Sequence, residues 1–525
     1  MSRSNAGART SGTYFVTTPI YYANAEPHIG HTYSNILADT LVRWHRLRGR
    51  DAFWVSGTDE YGEKMVEAAA KAGVPPAAFT ERISAIHQRT FAELGVAANR
   101  FVRTTEPRHI ADVQRILQQV YDAGWIELRE YEGLYCVGCE RFLTERDMVN
   151  GLCRDHERAP EPRRETNYFF LMSREFGWLR GWIESHPDFI RPARYRNEVL
   201  AMLRDESGLG DLSISRPKSR LDWGVELPFD RDHVCYVWFD ALITYLTGIG
   251  YPDDARFAER WAAVEHVIGK DILKPHGIFW PIMLKAIGLA PYQHLSVHGF
   301  WNVDERKVSK SLGNMISPIA MRDRYGFEAF RYFLLREMSF GLDAGFTEGA
   351  LVERVNADLA NNLGNLVSRT LNLVEKLCGG AVPEPVAGSV AVRALAGAAR
   401  TAADAAAAHM DGLRFHDALT EILRFAGALN AHLDATKPWK AAKEPGGDAA
   451  VRDSLYAACE GIRVLSLLLS PFLPETARAI RGRLGLAEAD VTAWDDLVRA
   501  PLAGNEAVQK GAALFPRLEL AAEPS

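Results

Sequence analysis

Cysteine is scarce in this sequence, with six residues in a chain of 525. That number is too small for the disulfide scaffold of a secreted protein. The sequence also lacks any run of about 18 apolar residues, the length that a membrane-spanning helix needs. We therefore expect neither a disulfide-stapled nor a membrane-spanning protein.

The N terminus and the charge balance exclude further classes of protein. The segment Met1–Gly12 is polar and has no apolar stretch of signal-peptide length, so we interpret it as a disordered leader on a cytoplasmic protein. The sequence has 61 Lys and Arg residues against 67 Asp and Glu residues, a net charge of -6. This balance excludes a general polycationic attraction to nucleic acid, so any contact with RNA must be local.

What is present indicates a large core and several domains. Hydrophobic residues make up 47% of the sequence, and the length suits roughly three or four domains. Near the N terminus, strand and helix patterns alternate over residues 14–18, 29–47, 51–55 and 64–72. Such alternation predicts a parallel sheet whose ligands lie at the carboxyl ends of the strands, here at loops 19–28 and 56–62.

The pattern changes twice further along the chain. From about Gly133, short segments with Cys, Gly and many charges predict an insertion, and alternation resumes near Val234. Residues 264–268 and 295–298 are predicted strands that complete the sheet. After about Leu351 only helical periodicity remains, so the last third of the chain is predicted to be a helix bundle. Its apolar stripes run through Leu351, Val355, Leu359, Leu363 and Leu366, and through Leu455, Cys459, Ile462, Leu465 and Leu469.

Two separate motifs have the chemistry of a nucleotide site. Pro27-His28-Ile29-Gly30-His31 lies where the first strand leads into the first helix, and backbone N–H groups there favour a phosphate. The two histidines project from one side of the first helical turn, although a pair of capping histidines would look the same. Lys307-Val308-Ser309-Lys310-Ser311 predicts a mobile loop that can neutralise charge on pyrophosphate, with a solvated basic loop as the alternative.

A cluster of cysteines predicts a metal site. Cys136-Val137-Gly138-Cys139 and Cys153-Arg154-Asp155-His156 are separated by thirteen residues, so two knuckles can bring three thiolates and an imidazole around one tetrahedral Zn²⁺. All four ligands come from the protein, which predicts a structural site. A disulfide is the alternative, but it suits a secreted chain better.

In the helical third, three residues are candidates for contact with RNA. Asn365 and Arg369 are four residues apart and share one helix face. Trp439 follows Pro438, which ends the preceding helix, and lies among Lys437, Lys440 and Lys443. An aromatic ring in a basic loop can stack on an unpaired base. A polar helix face and a buried Trp are the alternative interpretation.

The two paired motifs, nearly three hundred residues apart, together resemble the signatures of class I aminoacyl-tRNA synthetases. Further stretches resemble the methionyl-tRNA synthetase family in particular, over nearly the whole chain after the leader. They are Thr18-Pro19-Ile20-Tyr21-Tyr22-Ala23-Asn24, Tyr236-Val237-Trp238-Phe239-Asp240-Ala241, and Ile268-Gly269-Lys270-Asp271 with His276 and Phe279-Trp280. Val308 stands where the second signature commonly has methionine, an apolar-for-apolar change.

The resemblance implies roles for individual residues. The implied methionine pocket is Ile20, Tyr22, Asp59, Trp238, Ala241, Leu242, Tyr245, His276 and Phe279. Aromatic walls suit a thioether, Asp59 suits the substrate ammonium, and the Tyr245 hydroxyl and the Ile20 N–H are implied to approach the sulfur. The implied ATP-binding residues are Asn24, His28, Gly30, His31, Gly269, Asp271 and Lys310. The implied readers of the CAU anticodon are Asn365, Arg369 and Trp439.

The resemblance also implies a fold and a domain order. We expect a Rossmann-type parallel-sheet catalytic domain, an inserted zinc-binding connective domain and an all-α anticodon-binding bundle. The expected segments are a leader at 1–12, catalytic halves at 13–117 and 231–300, an insertion at 118–230, a signature-loop region at 301–350 and the bundle at 351–525. Because the sequence ends soon after the bundle, we expect a monomer.

The implied reaction is methionine activation by MgATP followed by transfer to tRNA(Met), initiator and elongator. It needs no enzyme nucleophile, so positioning and charge stabilisation by His28, His31, Lys307 and Lys310 are the expected means of catalysis. One rival is a synthetase for isoleucine, valine, leucine or cysteine, although the insertion is too short for a large editing domain. Another is a non-catalytic zinc and RNA-binding module, which would have no physical need of the two signatures.

Overall fold

The computed structural model describes two compact units within the chain. The described residues are 12–137, 141–143, 145–154, 157–205, 209–303, 306–307, 316–486, 493–494, 497 and 501–520. Thr13–Ala38 and Phe53–Gly299 form one unit, here called the sheet unit. Asp39–Ala52 and the described part of Phe300–Ser525 form the other, here called the helical unit.

The first elements of the chain alternate as the sequence predicts. They are β1 (Thr13–Tyr22), α1 (Ile29–Leu47), β2 (Asp51–Asp59), α2 (Glu63–Ala72), α3 (Pro76–Glu93), β3 (Arg100–Arg103) and α4 (Pro107–Asp122). The predicted helix 29–47 is confirmed. The predicted strand ends at residues 18 and 55 are wrong, because β1 continues to Tyr22 and β2 to Asp59. Pro19 does not end β1, since it lies beyond the ladder that pairs Phe15–Thr17 with Val264–His266.

The middle of the chain contains a long antiparallel hairpin and several short strands. The elements are β4 (Ile126–Cys136), β5 (Arg141–Leu143), β6 (Met148–Val149), β7 (Leu152–Cys153), β8 (Glu161–Phe170), α5 (Phe176–Ser185), β9 (Ile190–Arg191), α6 (Ala193–Arg204), β10 (Leu212–Ser213), β11 (Ser215–Pro217), β12 (Glu226–Leu227) and β13 (Asp230–Cys235). Strands β4 and β8 pair from Ile126 opposite Phe170 to Tyr135 opposite Glu161. They lie at the centre of a four-stranded sheet with the order β10-β8-β4-β5.

The remaining elements of the sheet unit complete a six-stranded sheet. They are α7 (Val237–Thr247), α8 (Phe257–Trp261), β14 (Val264–Gly269), a π-helical turn at Pro275–Phe279, α9 (Trp280–Ile287) and β15 (His294–His298). The strand order is β3-β2-β1-β14-β15-β9, and the pairs β2–β3, β1–β14, β14–β15 and β15–β9 are parallel. The predicted insertion 118–230 therefore contributes β9 to the main sheet. The domain boundaries stay predictions.

In the described part of the helical unit after Phe300, the strands are short and lie before Glu348. Its elements after Phe300 are β16 (Trp301–Val303), β17 (Arg306–Lys307), α10 (Pro318–Tyr325), α11 (Phe327–Glu337), β18 (Ala344–Gly345), α12 (Glu348–Val355), a π-helical stretch at Asn356–Gly364, α13 (Asn365–Cys378), α14 (Val390–Asp411), α15 (Phe415–Thr436), α16 (Pro438–Ala441), α17 (Asp448–Leu469) and α18 (Pro474–Arg483). Every residue of the two predicted apolar stripes is buried, which confirms the bundle. Among the described helices, none is long and apolar enough to cross a membrane.

Candidate active site

The two histidines of the first signature face each other at the start of α1. Their rings are stacked with centroids 3.9 Å apart. The backbone N–H of Gly30 donates to His28 Nδ1 at 3.0 Å, and the backbone N–H of His28 donates to His31 Nδ1 at 3.2 Å. Because each Nδ1 is an acceptor, the neutral form of each ring carries its proton on Nε2. Each Nε2–H is then a donor suited to a phosphate oxygen.

Gly30 allows the His28 ring to fold back over the first helical turn. A Cβ atom at Gly30 would lie 2.9 Å from His28 Cε1, closer than real Cβ contacts. Burial and the neighbouring His28 and His87 lower the pKa of His31 well below its ordinary value. His31 is therefore a neutral hydrogen-bond donor rather than a source of positive charge.

His87 on α3 contacts the turn that precedes the two signature histidines. Sequence reasoning missed this residue. Its Nε2 donates to the carbonyl of Ala25 at 2.9 Å, in the turn between β1 and α1. Its ring also stacks on Tyr21, and burial lowers its pKa to about 4. A histidine among the apolar positions of an amphipathic helix was the only signal in the sequence.

The ends of three strands meet near this corner. The N–H of Ala23 donates to the carbonyl of Asp59 at 2.9 Å, which joins the ends of β1 and β2. Ser34 on α1 donates to His298 Nε2 at 2.8 Å, since His298 Nδ1 donates to the carbonyl of Gly299. Helix α1 is thereby tied to the end of β15. His298 is a second residue that the sequence did not indicate.

Several predicted nucleotide and ammonium ligands lie at these strand ends. Gly269 ends β14, where a Cβ would lie 2.7 Å from Asp271 Oδ1 and 3.6 Å from His298 Cε1. Asp59 is buried, and its Oδ1 accepts the N–H of Tyr61 at 3.4 Å. Asn24 is half-buried in the turn after β1. These positions agree with the predicted location of a ligand at the carboxyl edge of the sheet.

Three residues of the predicted methionine pocket form one contact group. The Tyr245 hydroxyl and His276 Nε2 are 2.7 Å apart, and His276 Nδ1 donates to the carbonyl of Ile272 at 3.0 Å. His276 Nε2 is consequently the acceptor, and Tyr245 is the donor. The Trp238 ring meets the His276 ring edge-on with centroids 6.4 Å apart. Burial lowers the pKa of His276 to about 4.

The remaining pocket residues lie on the same elements or on β1. Leu242 and Phe279 are buried in the same apolar cluster as Tyr245, and Ala241 is buried as well. Tyr22 packs against that cluster, with the Lys64 ammonium 4.3 Å from its ring centre. Ile20 on β1 lies against Gly57 of β2, where a Cβ would be 3.0 Å from Ile20 Cγ2. The structure thus brings the helix α7 residues to His276.

Half of the predicted zinc site lies within the described residues. Cys136 ends β4, Cys153 ends β7, and both are buried, with 2% and 1% of their surfaces exposed. They share a small apolar cluster with Leu143 and Met148. Cys139 and His156 lie outside the described residues. Within the described ranges, no group of three or more His, Cys, Asp or Glu side chains is arranged to hold a metal.

The second signature lies mostly outside the described residues. Lys307 ends β17, where its backbone pairs with Asn302. Its side chain and all of Lys310 fall outside the described part of the chain. Their roles stay predictions.

The three predicted anticodon residues lie in the helical unit. The Arg369 guanidinium is 4.7 Å from the centre of the Trp439 ring, and it donates to Asp434 Oδ1 at 2.7 Å. Asn365 is exposed at the start of α13, and Trp439 is half-buried on α16. Trp439 is therefore not a core residue. The helix before it ends at Thr436, as Pro438 predicts.

Two family models match this chain. The model described as tRNA synthetases class I (M) matches residues 14–159 and 146–371. The model described as the anticodon binding domain of methionyl tRNA ligase matches residues 382–518. Trp439 falls in the second match, whereas Asn365 and Arg369 fall in the first.

Known proteins match over nearly the full chain. A methionine–tRNA ligase of Deinococcus radiodurans is 45% identical over 515 residues, covering 96% of this chain and 74% of the relative. One of Caldanaerobacter subterraneus subsp. tengcongensis is 39% identical over 513 residues, covering 97% and 80%. A solved structure of Mycobacterium tuberculosis methionyl-tRNA synthetase in complex with methionyl-adenylate has a TM-score of 0.92 and 38% identity, covering 96% of this chain and 100% of that one.

Proposed function

This chain belongs to the class I tRNA synthetases of the methionine group, and from this premise we propose which of its residues carry the reaction. The enzyme activates methionine with ATP and charges tRNA with it. Both relatives are methionine–tRNA ligases, so an isoleucine, valine, leucine or cysteine enzyme and a non-catalytic RNA-binding module are set aside.

The chemistry depends on positioning and on stabilisation of charge. A methionine carboxylate oxygen bonds to the α-phosphorus of ATP as the bond to pyrophosphate breaks, and a terminal tRNA ribose hydroxyl then displaces AMP from the methionyl group. His28 and His31 donate their Nε2–H groups to phosphate oxygens in the first step. The observation that carries this assignment is the pair of backbone N–H groups that occupy both Nδ1 atoms.

Other residues complete the ATP site in this proposal. Gly30 and Gly269 let the nucleotide approach the backbone, and Asn24 and Asp271 bind the adenosine and ribose. Lys307 and Lys310 neutralise charge on the departing pyrophosphate. Mg²⁺ accompanies ATP and shares that neutralisation.

A His28→Gln variant tests the role of the histidine pair. Gln keeps a polar side chain but lacks the imidazole geometry, so the maximal rate of methionine-dependent ATP–pyrophosphate exchange should fall by about 10²-fold. The His186→Gln variant is the matched control, because His186 is an exposed residue at the end of α5, stacked on Trp182. A His28→Gln enzyme as fast as His186→Gln would contradict the assignment.

In the proposed methionine site, aromatic walls hold the thioether. Tyr22, Trp238 and Phe279 surround the side chain, and Asp59 pairs with the ammonium group. Ile20, Ala241, Leu242, Tyr245 and His276 complete the pocket. The support for this set is the contact of two α7 residues with His276: Tyr245 is hydrogen-bonded to it, although it lies 31 residues earlier in the chain, and the Trp238 ring meets it edge-on.

We also propose one structural zinc ion per chain, bound by Cys136, Cys139, Cys153 and His156. The burial of Cys136 and Cys153 in one cluster, on two hairpin ends, fits two of the four corners of such a site. Bound zinc would cross-link the two knuckles. It would take no part in the chemical steps.

Asn365, Arg369 and Trp439 are proposed to read the anticodon of initiator and elongator tRNA(Met). Trp439 offers a half-buried ring for a base to stack on, and Asn365 and Arg369 supply directional donors. We expect this to occur in the cytoplasm, where tRNA is charged for translation. The monomeric state stays a prediction.

A further inference from the structure

Helix α7 has two faces with different tasks. Trp238, Ala241, Leu242 and Tyr245 are spaced three, four and seven residues apart, so they share one face, which is the proposed pocket wall. Asp240 and Thr247 are seven residues apart and lie on the opposite face. Both are buried, although the pocket does not use them.

His109 on α4 bridges these two back-face residues. Its Nε2 is 2.6 Å from Asp240 Oδ1, and its Nδ1 is 3.1 Å from Thr247 Oγ1. The ring is fully buried, and Asp240 is 1% exposed. One imidazole therefore spans two turns of α7 inside the protein.

The direction of each hydrogen bond can be assigned by starting from Asp112, whose carboxylate oxygens accept. The Thr247 hydroxyl donates to Asp112 Oδ2 at 3.0 Å, so its oxygen accepts from His109 Nδ1–H. Arg115 donates to Asp112 Oδ1 at 2.6 Å and Arg108 to its Oδ2 at 3.3 Å, which fixes this carboxylate. One proton then lies between His109 Nε2 and Asp240 Oδ1, which are 2.6 Å apart. Burial raises the pKa of Asp240, although His109 opposes that rise.

We propose that His109 is a positioning residue for methionine, acting through the clamp formed by Asp240, Thr247 and Asp112. The clamp holds α7 at Asp240 and Thr247, on the face opposite the proposed pocket. It thereby fixes the rotation of the helix about its axis and its position along that axis. The pocket face of the same rigid helix is thereby held at its distance from His276. This inference rests on the proposed pocket. It means that His109 influences the affinity for methionine without touching the substrate.

Because α7 is closely packed, a small displacement of this helix should weaken the binding of methionine. At the end of the helix, a Cβ on Gly248 would lie 2.5 Å from Val55 of β2, so the helix end packs closely on the sheet. Removing the Thr247 hydroxyl would leave His109 Nδ1–H without its acceptor in a buried site and would remove one of the two donors to Asp112 Oδ2. A shift of α7 would let water or another acceptor reach the His109 N–H. Such a movement would change the pocket wall while leaving the ATP residues in place.

A Thr247→Val variant tests this with little change in volume. The methionine KM in pyrophosphate exchange should rise about tenfold, while the ATP KM stays within about twofold. The matched control is Thr244→Val, which removes a buried hydroxyl of the same helix. Among the described residues, this hydroxyl bonds to the carbonyl of Ala241, at 2.6 Å, and takes no part in the clamp. Thr247→Ser should restore the methionine KM. Asp240→Asn should have a smaller effect, about threefold, because its amide can still donate to His109 Nε2.

The outcomes separate the clamp from its alternatives. A rise in methionine KM confined to the back-face variants, with Thr244→Val and Thr247→Ser normal, supports the proposal. Equal rises for methionine and ATP, or equal effects of Thr244→Val and Thr247→Val, overturn it in favour of general destabilisation. An unchanged methionine KM in Thr247→Val also overturns it. If Trp238→Ala then raises that KM, only the clamp fails; if it does not, the proposed pocket fails too.

Discussion

The ring nitrogens of His276 have opposite roles inside the protein. Nδ1 donates to a backbone carbonyl and Nε2 accepts the Tyr245 hydroxyl, so the ring is neutral when both bonds are made. His266 nearby has the same pattern, because Trp280 donates to its Nε2 at 3.0 Å and its Nδ1 faces Thr17 Oγ1 at 2.6 Å. Neutral imidazoles suit a site for a thioether, which carries no charge to attract a cation.

Tyr245→Phe tests the polar character of the methionine pocket. It removes the hydroxyl that is proposed to distinguish a sulfur from a methylene, and it leaves His276 Nε2 without its donor. Discrimination between methionine and norleucine should fall by about 1–2 kcal/mol. The measurement is the ratio of specificity constants for the two amino acids.

Tyr292→Phe is the control for this experiment. Tyr292 is also buried and donates to the carbonyl of His276 at 2.8 Å, so the variant loses a hydrogen bond to the same residue. It lies outside the proposed pocket and should leave the ratio unchanged. If the two variants alter the ratio equally, Tyr245 has no special role in specificity.

His87 and His276 also make stability depend on pH. Burial lowers the pKa of each from its ordinary 6.5 to about 4. As the pH falls below 6.5, these two histidines become protonated in the unfolded chain. In the folded chain they stay neutral until about pH 4. The contribution of these two histidines to the free energy of unfolding should therefore be constant above pH 6.5 and fall between pH 6.5 and 4, by up to about 3 kcal/mol per histidine.

The His87→Gln variant isolates one contribution to this pH dependence. Gln retains an N–H donor for the carbonyl of Ala25 but does not titrate. Urea denaturation at several pH values should give a shallower decline than in the parent protein. A decline as steep as the parent's would show that His87 is already protonated, or not buried, in the folded state.

At the scale of elements, the sequence predicts an element's bounds correctly where those bounds depend on the element's own residues. The helical pattern over residues 29–47 predicts α1 with the bounds that the structure has. The ends of β1 and β2 were missed because Pro19 and Gly57 suggest turns. Whether a strand can contain a proline or a glycine depends on the neighbouring strand that lies beside that residue. The local sequence does not show which strand that is. The His109 clamp was missed for the same reason, since Asp240 is 131 residues away.

The zinc knuckle is an element whose stability we expect to depend on metal. Cys139→Ser should open a closed four-ligand site, lower the stability of the connective segment and reduce aminoacylation, while the helix bundle stays folded. Cys378→Ser is the control, because this thiol is half-buried in the helical unit and outside the proposed ligand set. Metal analysis should find one zinc per chain in the parent and the control. A parent protein purified without chelator and found to contain no zinc would refute the site.

On the scale of the whole molecule, the two units suggest a division of labour. The histidine pair and the proposed methionine pocket lie in the sheet unit, and the proposed anticodon residues lie in the helical unit. Trp439→Ala should cost about 1–3 kcal/mol in recognition of tRNA, the usual worth of one aromatic–base stack. Methionyl-adenylate formation should stay near normal, because the first reaction needs no tRNA.

Trp439→Phe is the matched variant, since Phe keeps a ring for stacking. Charging of tRNA with CAU and altered anticodons, pyrophosphate exchange and melting temperature should be measured on both variants. A stable Trp439→Ala enzyme that charges tRNA normally would reject the anticodon role. A destabilised one impaired equally in both reactions would instead favour a packing role for Trp439.

Activation of methionine by this chain is the reaction on which the proposed roles of the site residues depend. The most direct test is ATP–pyrophosphate exchange by the purified protein with each of the natural amino acids supplied in turn. Methionine alone should drive rapid exchange, because the pocket joins a carboxylate for the ammonium group to aromatic walls and neutral hydrogen-bonded rings. Exchange driven best by isoleucine, valine, leucine or cysteine, or no exchange with any amino acid, would contradict the claim.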